Sequence, residues 1–363
     1  MIESQSIREL ALRHPFSISV LIVTRNRTAL LRKALTSLAA AWSEAKGQVG
    51  LTLDTHLLIN GESQGENPGE NVGRSRSDEN VTEGLTGLQV QTVRISRPVS
   101  PAAGRNILLR KINSDWIFFL DDDVQLPIHF FLNLEKLLQT HPAIDVWGGP
   151  NLTPPASEAF QQGSGWMLTQ PLVVGPISRR YKLGAGSFTS GTLFNSQFNL
   201  MLCNLLIRRS CLQDNGFQPF FKTAEENELI YRLQENGTRV AASDDLLVFH
   251  ERRSDTLQFL RQIFFYGFGR GQLLRTSSVS KQIIFCLAPV LLIGGLVFTC
   301  YFPALFICWL VSLQILYVFQ FGRFDWWTLP LPALIWIQYV LGLGFGMRSQ
   351  AKSTATAPVL ETP

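Results

Sequence analysis

Three consecutive carboxylates, Asp121, Asp122 and Asp123, follow directly on the apolar run Trp116-Ile117-Phe118-Phe119-Leu120. The run reads as a buried strand, and the acids mark its exit from a sheet. In open α/β sheets, ligands bind just beyond the carboxyl ends of strands. Neighbouring carboxylates repel one another unless a cation neutralises them. Hard divalent cations such as Mg²⁺ and Mn²⁺ take oxygen ligands and share them with substrate phosphates. The stretch therefore points to a metal-assisted site for a phosphorylated donor. A plain solvated loop at a helix entry explains three acids after so apolar a strand poorly.

The surrounding pattern supplies the elements to position these acids. Residues 17–23 form a β-branched apolar run, then the loop Thr24-Arg25-Asn26-Arg27, then leucines at 30, 31, 35 and 38 near helical spacing. This is a strand, loop and helix, with Thr28 as candidate N-cap. Further strands fit 51–59, 88–95, 144–149, 198–207 and 239–249. Helices fit 101–112, with Ser100 as cap and Pro101 in the first turn, and 127–140. A third, 224–235, has Glu225 and Glu226 in its first turn and Gly237 after its end. Strands alternating with helices predict a mainly parallel sheet with helices on both faces. Residues 60–87 are rich in Gly, Glu, Asn and Ser and read as a surface insertion before a lid over the donor. Residues 150–197 read as irregular.

Hydrophobic residues make up 46% of the 363, and the excess collects after residue 282. Three uncharged stretches there, about 283–300, 303–321 and 328–346, approach the ~20 residues that cross a bilayer. The segment 256–275 is amphipathic, which suits a membrane interface. Arg252, Arg253, Arg261, Arg270, Arg275 and Lys281 cluster beside it, as expected for a cytoplasmic, anionic-lipid-facing position. The net charge of +4 is too mild to suggest nucleic acid. The five cysteines form no CxxC pair and indicate neither a disulfide framework nor a zinc site. The N-terminus has no apolar signal region.

Four stretches together resemble the bacterial family 2 glycosyltransferases of the GT-A nucleotide-sugar fold. Val-Leu-Ile-Val-Thr-Arg-Asn-Arg resembles the family's first strand and donor loop. Ser-Pro-Ala-Ala-Gly-Arg-Asn-Ile resembles its Ala-Arg-Asn segment. Phe-Leu-Asp-Asp-Asp-Val resembles its acidic metal motif. Ala-Glu-Glu-Asn-Glu-Leu resembles its catalytic Glu-Asp-x-Glu-Leu helix. The resemblance covers residues 17 to about 275.

It implies that Asp121 lies near the donor's ribose or base and that Asp123 holds Mg²⁺ or Mn²⁺, with Asp121 and His250 as further candidate ligands. Thr24, Arg25 and Asn26 fall where the fold places the nucleotide. Glu226 takes the position of the family's Asp base, with Glu225 as the alternative. Arg105 either pairs with a phosphate or orients the acidic motif. The Asp-Asn-Gly-Ser often found after the second strand is here Ile59-Asn60-Gly61-Glu62-Ser63, so Asn60 is left as the candidate contact to the base. Arg270, in a Gly-Arg segment like one before the membrane helices of such enzymes, either neutralises the diphosphate or meets lipid phosphates.

The expected organisation is a GT-A domain over 1–250, an interfacial segment over 251–281, two to three transmembrane helices over 282–347 and a disordered tail over 348–363. The expected activity is transfer of a sugar from a nucleotide-diphosphate sugar, with inversion, to a hydroxyl on a lipid-linked or cell-surface glycan. The expected location is a bacterial inner membrane, multi-pass, with the catalytic domain cytoplasmic. The alternatives are a processive polysaccharide synthase, whose usual Gln-x-x-Arg-Trp motif is absent, and a non-catalytic nucleotide-sugar-binding protein.

Overall fold

The computed structural model describes residues 16–61, 81–184, 200–212, 216–276, 294–295 and 301–349. β1 (Phe16–Thr24) leads into α1 (Thr28–Ala45), β2 (Leu51–Asn60), β3 (Val90–Ile95) and α2 (Pro101–Leu109). β4 (Trp116–Leu120) and the short β5 (Val124–Gln125) flank the three aspartates. α3 (Phe130–Thr140), β6 (Val146–Gly148), β7 (Asn151–Leu152), α4 (Ala159–Thr169) and α5 (Pro171–Val174) follow. After a 3₁₀ turn (Gly175–Tyr181) come β8 (Asn204–Arg208), α6 (Arg209–Leu212), α7 (Glu225–Glu235), β9 (Val240–Ala242) and β10 (Val248–His250). The chain continues as α8 (Thr256–Thr276), α9 (Pro303–Phe321) and α10 (Leu331–Arg348).

The main sheet has the order β3-β2-β1-β4-β8-β6-β9. β1 runs parallel to both β2 and β4, with Leu21 beside Phe119 and Thr24 beside Ile59. β8 is antiparallel to β4 and β6. The order therefore reverses between β1 and β4. Such a switch point opens a crevice outside the strand ends, and here it lies between Thr24 and Asp121.

Every residue of β4 is buried because helices cover both faces. Trp116, Phe118 and Leu120 pack with Leu31 and Leu35 of α1 and Phe130 and Leu134 of α3. Ile117 and Phe119 pack with Leu108 of α2 and Leu229 and Ile230 of α7. That two-faced burial is why the run shows no alternation. The core thus clamps the strand that carries the aspartates.

Local readings differ in three places. Residues 159–169 are a helix rather than irregular chain, started by a capping box between Glu158 and Gln161. Thr28 is the first helical residue, not the cap; Arg27 stands at the N-cap and makes no side-chain cap bond. The stretch 239–249 is two strands in different sheets. Between them the Ser243 hydroxyl accepts from Asp245 N and a 3₁₀ turn (Asp244–Leu246) redirects the chain. β10 then joins the small sheet β5-β10-β7 and pairs His250 with Val124.

Pro303–Phe321 and Trp326–Arg348 are long and apolar enough to cross a membrane, and only 17% and 33% of their windows are buried within the protein. Leu305, Ile315, Phe319 and Phe345 face outward. Of the first candidate span, 283–300, only 294–295 fall among the described residues, and most of the 60–87 insertion lies outside them too.

α8 packs along α10 through a seam of glycines. A Cβ on Gly267 or Gly271 would collide with the carbonyls of Tyr339 or Leu343, and one on Gly342 or Gly346 with those of Phe264 or Phe268. Two facing Gly-x-x-x-Gly spacings let the backbones touch. Overpacking a seam of this kind costs about 1–3 kcal/mol, so Gly342→Val should lower Tm by about 3 °C or more in detergent. Gly344→Val projects into open space and should leave Tm nearly unchanged. Equal shifts for the two variants in a melting experiment would refute the seam.

Candidate active site

The site is built on the end of β4. Asp122 and Asp123 are each 5% exposed, whereas the Asp121 side chain is 32% exposed and faces a cavity of about 600 Å³. The Thr24 hydroxyl, closing β1, donates to Asp122 Oδ2 at 2.6 Å. Arg27 Nη1 reaches Asp122 Oδ1 at 3.0 Å and Asp123 Oδ2 at 2.9 Å. Burial, reinforced by Asp123 alongside, pushes the Asp122 carboxyl up to about 6. Burial works against ionisation of Asp123 as well, but His250, Arg27 and Arg253 outweigh it and hold its carboxyl below the usual range. Asp122, for which the sequence offered no role, thus anchors Arg27 across the switch point.

Arg27 is the residue that sequence reasoning missed. Arg25 and Asn26 were the candidates, yet both are exposed and neither lines the cavity. Asn26 adopts a left-handed backbone (φ 54°). That turn, with the helix starting one residue after Arg27, swings Arg27 inward. The four-residue loop contained the signal, but the choice between its two arginines depended on where the helix begins.

Arg105 projects from α2 and is 7% exposed. Its Nη2 donates to Asp121 Oδ1 and its Nη1 to Glu225 Oε1, both at 3.0 Å. Of the two roles open to it, the geometry is that of an orienting bridge. Asn60 is committed elsewhere: its amide donates to Val99 O and accepts from Val99 N, each at 2.9 Å. It ties β2 to the loop before α2.

Glu225 and Glu226 both line the cavity. Ala224, at their helix N-cap, is held in a left-handed conformation (φ 65°) rare for a residue with a Cβ. Glu225 is 6% exposed and turned to Arg105; Glu226 is half-buried and accepts from Asn227 Nδ2 at 2.6 Å. Burial pushes the Glu225 carboxyl up to about 7, against the pull of Arg105.

His250 and Asp123 meet at 3.1 Å, Nε2 to Oδ1. That spacing suits two adjacent ligands on one hard cation with bonds of about 2.0–2.1 Å. Among the described residues, no group of three His, Cys, Asp or Glu is arranged to hold a metal ion. The residues therefore fit a cation that completes its shell with substrate oxygens and water, not a protein cage. Asp121 is bound up with Arg105 rather than with this pair.

Of the five described members of the basic cluster, three are turned inward, against the expectation that it faces lipid, and Lys281 lies outside the described residues. Arg252 and Arg270 are 6% and 9% exposed, and Arg253 Nη1 stands 3.6 Å from Asp123. Arg261 and Arg275 remain outside. Arg270 lines the cavity in the field of Tyr339, Arg180 and Glu226. The far wall is apolar and includes Val173, Ile177, Ile335 and Trp336, with Trp336 Nε1 donating to Val173 O at 2.7 Å.

The raised Glu225 carboxyl has a consequence for stability. Unfolded, it releases its proton near 4.5; folded, it keeps it to about 7. Its contribution is present in full below 4.5 and lost as pH rises through 7. Wild-type Tm should therefore fall relative to Glu225→Gln between pH 5 and 8, and parallel melting curves would contradict this.

Residues 73–214 match the family described as Glycosyl transferase family 2. No curated protein matches the chain. Among solved structures, the mannosyltransferase PcManGT from Pyrobaculum calidifontis, in complex with GDP-Man and Mn²⁺, aligns over 95% of this chain and 94% of its own, with a TM-score of 0.57 at 13% identity. S. aureus TarS 1–349, in complex with UDP-GlcNAc, aligns over 74% of this chain and 73% of its own, with a TM-score of 0.48 at 14% identity. The Pyrobaculum likeness, spanning nearly both chains, is one of fold. The chain thus carries a segment, 73–214, that matches the family 2 glycosyltransferases, on a mainly parallel sheet with acids at its switch point and a fold like that of the Pyrobaculum protein.

Proposed function

We propose that this chain is a family 2 glycosyltransferase, metal-dependent and inverting, that transfers a sugar from a nucleotide-diphosphate sugar to a hydroxyl of a lipid-linked or cell-surface glycan at a bacterial inner membrane. The observation that carries the reading is one cavity lined by Asp121, Asp123 and His250 together with Glu225 and Glu226, with Arg105 bridging Asp121 to Glu225. Asp123 and His250 would hold Mg²⁺ or Mn²⁺, which supplies Lewis-acid stabilisation of the departing nucleoside diphosphate when bound. The Pyrobaculum protein's complex with GDP-Man and Mn²⁺ is consistent with this. Arg27 and Arg253 add fixed positive charge beside the same carboxylate.

Glu226 acts as the general base. Glu225 is occupied by Arg105, whereas Glu226 has a carboxylate oxygen beyond its Asn227 contact. The acceptor O–H bond breaks and its proton passes to Glu226. The acceptor oxygen bonds to the anomeric carbon as that carbon's bond to the diphosphate oxygen breaks. Attack opposite the leaving group inverts the centre. Arg105 and Glu225 are positioning residues, keeping Asp121 and the first turn of α7 in register. The apolar wall, contributed partly by a helix long enough to span a bilayer, supports a lipid-bearing acceptor and a membrane location.

Asp123→Ala and Glu226→Gln should each lower kcat at least about a hundredfold, the scale of losing an electrostatic stabiliser or a base. Sugar release or transfer, assayed against a panel of nucleotide sugars, reads this directly. Full turnover in either variant defeats the assignment. Chelation with EDTA should abolish turnover and Mn²⁺ restore it. Activity indifferent to both removes the metal from the mechanism, and a product retaining the donor's anomeric configuration removes inversion.

A further inference from the structure

Asp123 is contacted on both of its oxygens. Its Oδ1 meets His250 Nε2 at 3.1 Å. Its Oδ2 meets Arg27 Nη1 at 2.9 Å and Arg253 Nη1 at 3.6 Å. Two guanidiniums thus converge on the carboxylate that the proposed function gives to a divalent cation. Burial works against the charge of Arg27, but Asp123 and Asp122 outweigh it, so the guanidinium keeps its proton.

Neither arginine is fully used. Arg27 reaches both aspartates through Nη1 alone; among the described residues its Nη2 and Nε make no hydrogen bond. Arg253 has its ion pair with Asp123 but no hydrogen bond among them. Both side chains line the cavity, and they are 37% and 24% exposed. The Arg27 backbone is held, since its carbonyl accepts from Leu31 N at 2.9 Å, so freedom is confined to the side chain. Asp122 also accepts from the Thr24 hydroxyl, and it keeps that partner if the guanidinium moves.

Charge then decides what the site accepts. Like charges repel, most strongly where water is excluded. A dication on Asp123 comes to lie beside two guanidiniums, and on its own it is opposed by both. Guanidinium forks match phosphate oxygens, and a diphosphate has oxygens enough for a metal and arginines together. An anion that neutralises the excess positive charge removes the opposition.

We propose that Arg27 and Arg253 couple the divalent cation to the nucleoside diphosphate. They hold Asp123 against the cation alone, and give their unused donors to the diphosphate when the two bind together. This rests on the reading of Asp123 as a metal ligand. It assigns a ligand contact to two residues that were not among the candidates for one in the sequence. Such coupling is reciprocal: whatever the diphosphate adds to metal affinity, the metal adds to that of the diphosphate.

The test uses the full chain in neutral detergent micelles. Mn²⁺ binding is read from the electron paramagnetic resonance of free Mn²⁺, with the metal held by free nucleotide subtracted. Nucleotide binding is read by calorimetry. In the wild type, one or more of UDP, GDP, CDP and dTDP should tighten Mn²⁺ at least about tenfold, within the usual range of coupling between two sites. Arg27→Gln and Arg253→Gln should each bind Mn²⁺ alone more tightly and the nucleotide more weakly, so that the coupling shrinks. Misfolding would weaken both. Arg27→Lys, which keeps the charge and loses the fork, should leave Mn²⁺ affinity near that of the wild type and still weaken the nucleotide.

If none of the four nucleotides tightens Mn²⁺, the coupling fails. Weaker nucleotide binding in the Gln variants with Mn²⁺ affinity unchanged or lowered would reduce the arginines to plain anion contacts and overturn the coupling, with the metal reading intact. Mn²⁺ binding that Asp123→Ala does not weaken would defeat the metal reading itself, and the coupling with it.

Discussion

Arg105 holds the two halves of the site together. Its guanidinium is buried, and its two branches end on acids from different parts of the chain: Asp121 at the end of β4 and Glu225 at the start of α7. Removing one partner from a buried pair leaves charge without compensation, a strongly destabilising change. The bridge therefore fixes a separation and not just a contact. Its flank is closed by Phe217, with the guanidinium 5.9 Å from the ring centre. Because Glu225 is spent on this bridge, its neighbour Glu226 is left facing the cavity. A pair of adjacent glutamates is thereby divided into one held by an arginine and one that, in the proposed mechanism, meets the acceptor.

Much of this was legible in the chain because it follows from local rules. An uninterrupted apolar run means a strand covered on both faces, and acids at its end mean a strand-end site. The helix starts at Ser100-Pro101 and before Glu225 were readable from capping chemistry and charge. What could not be read depended on tertiary partners. The inward turn of Arg27 depends on one left-handed residue and one helix boundary. Asn60 reads as a ligand contact until Val99 is known to take both ends of its amide. Arg252 and Arg270 look like lipid-facing charge until α8 is seen packed over the cavity. The strand expected over 239–249 breaks because Ser243 and the turn after it steer the chain between sheets, and that break brings His250 against Asp123.

The helices beyond the sheet are part of the same device. Thr223, just before the strained Ala224, donates its hydroxyl to Phe265 O of α8 at 2.6 Å. Gly269 has no room for a Cβ because Thr223 lies against it. α8 is pressed in turn onto α10 by the glycine seam. The strained start of α7 is thus braced from outside the sheet, which is how a costly backbone conformation persists at a working site.

The glycine seam also separates two kinds of information in the chain. The acids and their arginine bridge belong to strand ends and helix starts of the sheet domain. The width and greasiness of the room beyond them belong partly to Ile335, Trp336 and Tyr339, on the last helix. Because that helix meets its neighbour through bare backbone, its outward and cavity-facing side chains can drift without disturbing the fit. On the proposed function, a lineage of such chains could explore new acceptors by rewriting this one helix, while the acids and their arginine bridge stay as they were.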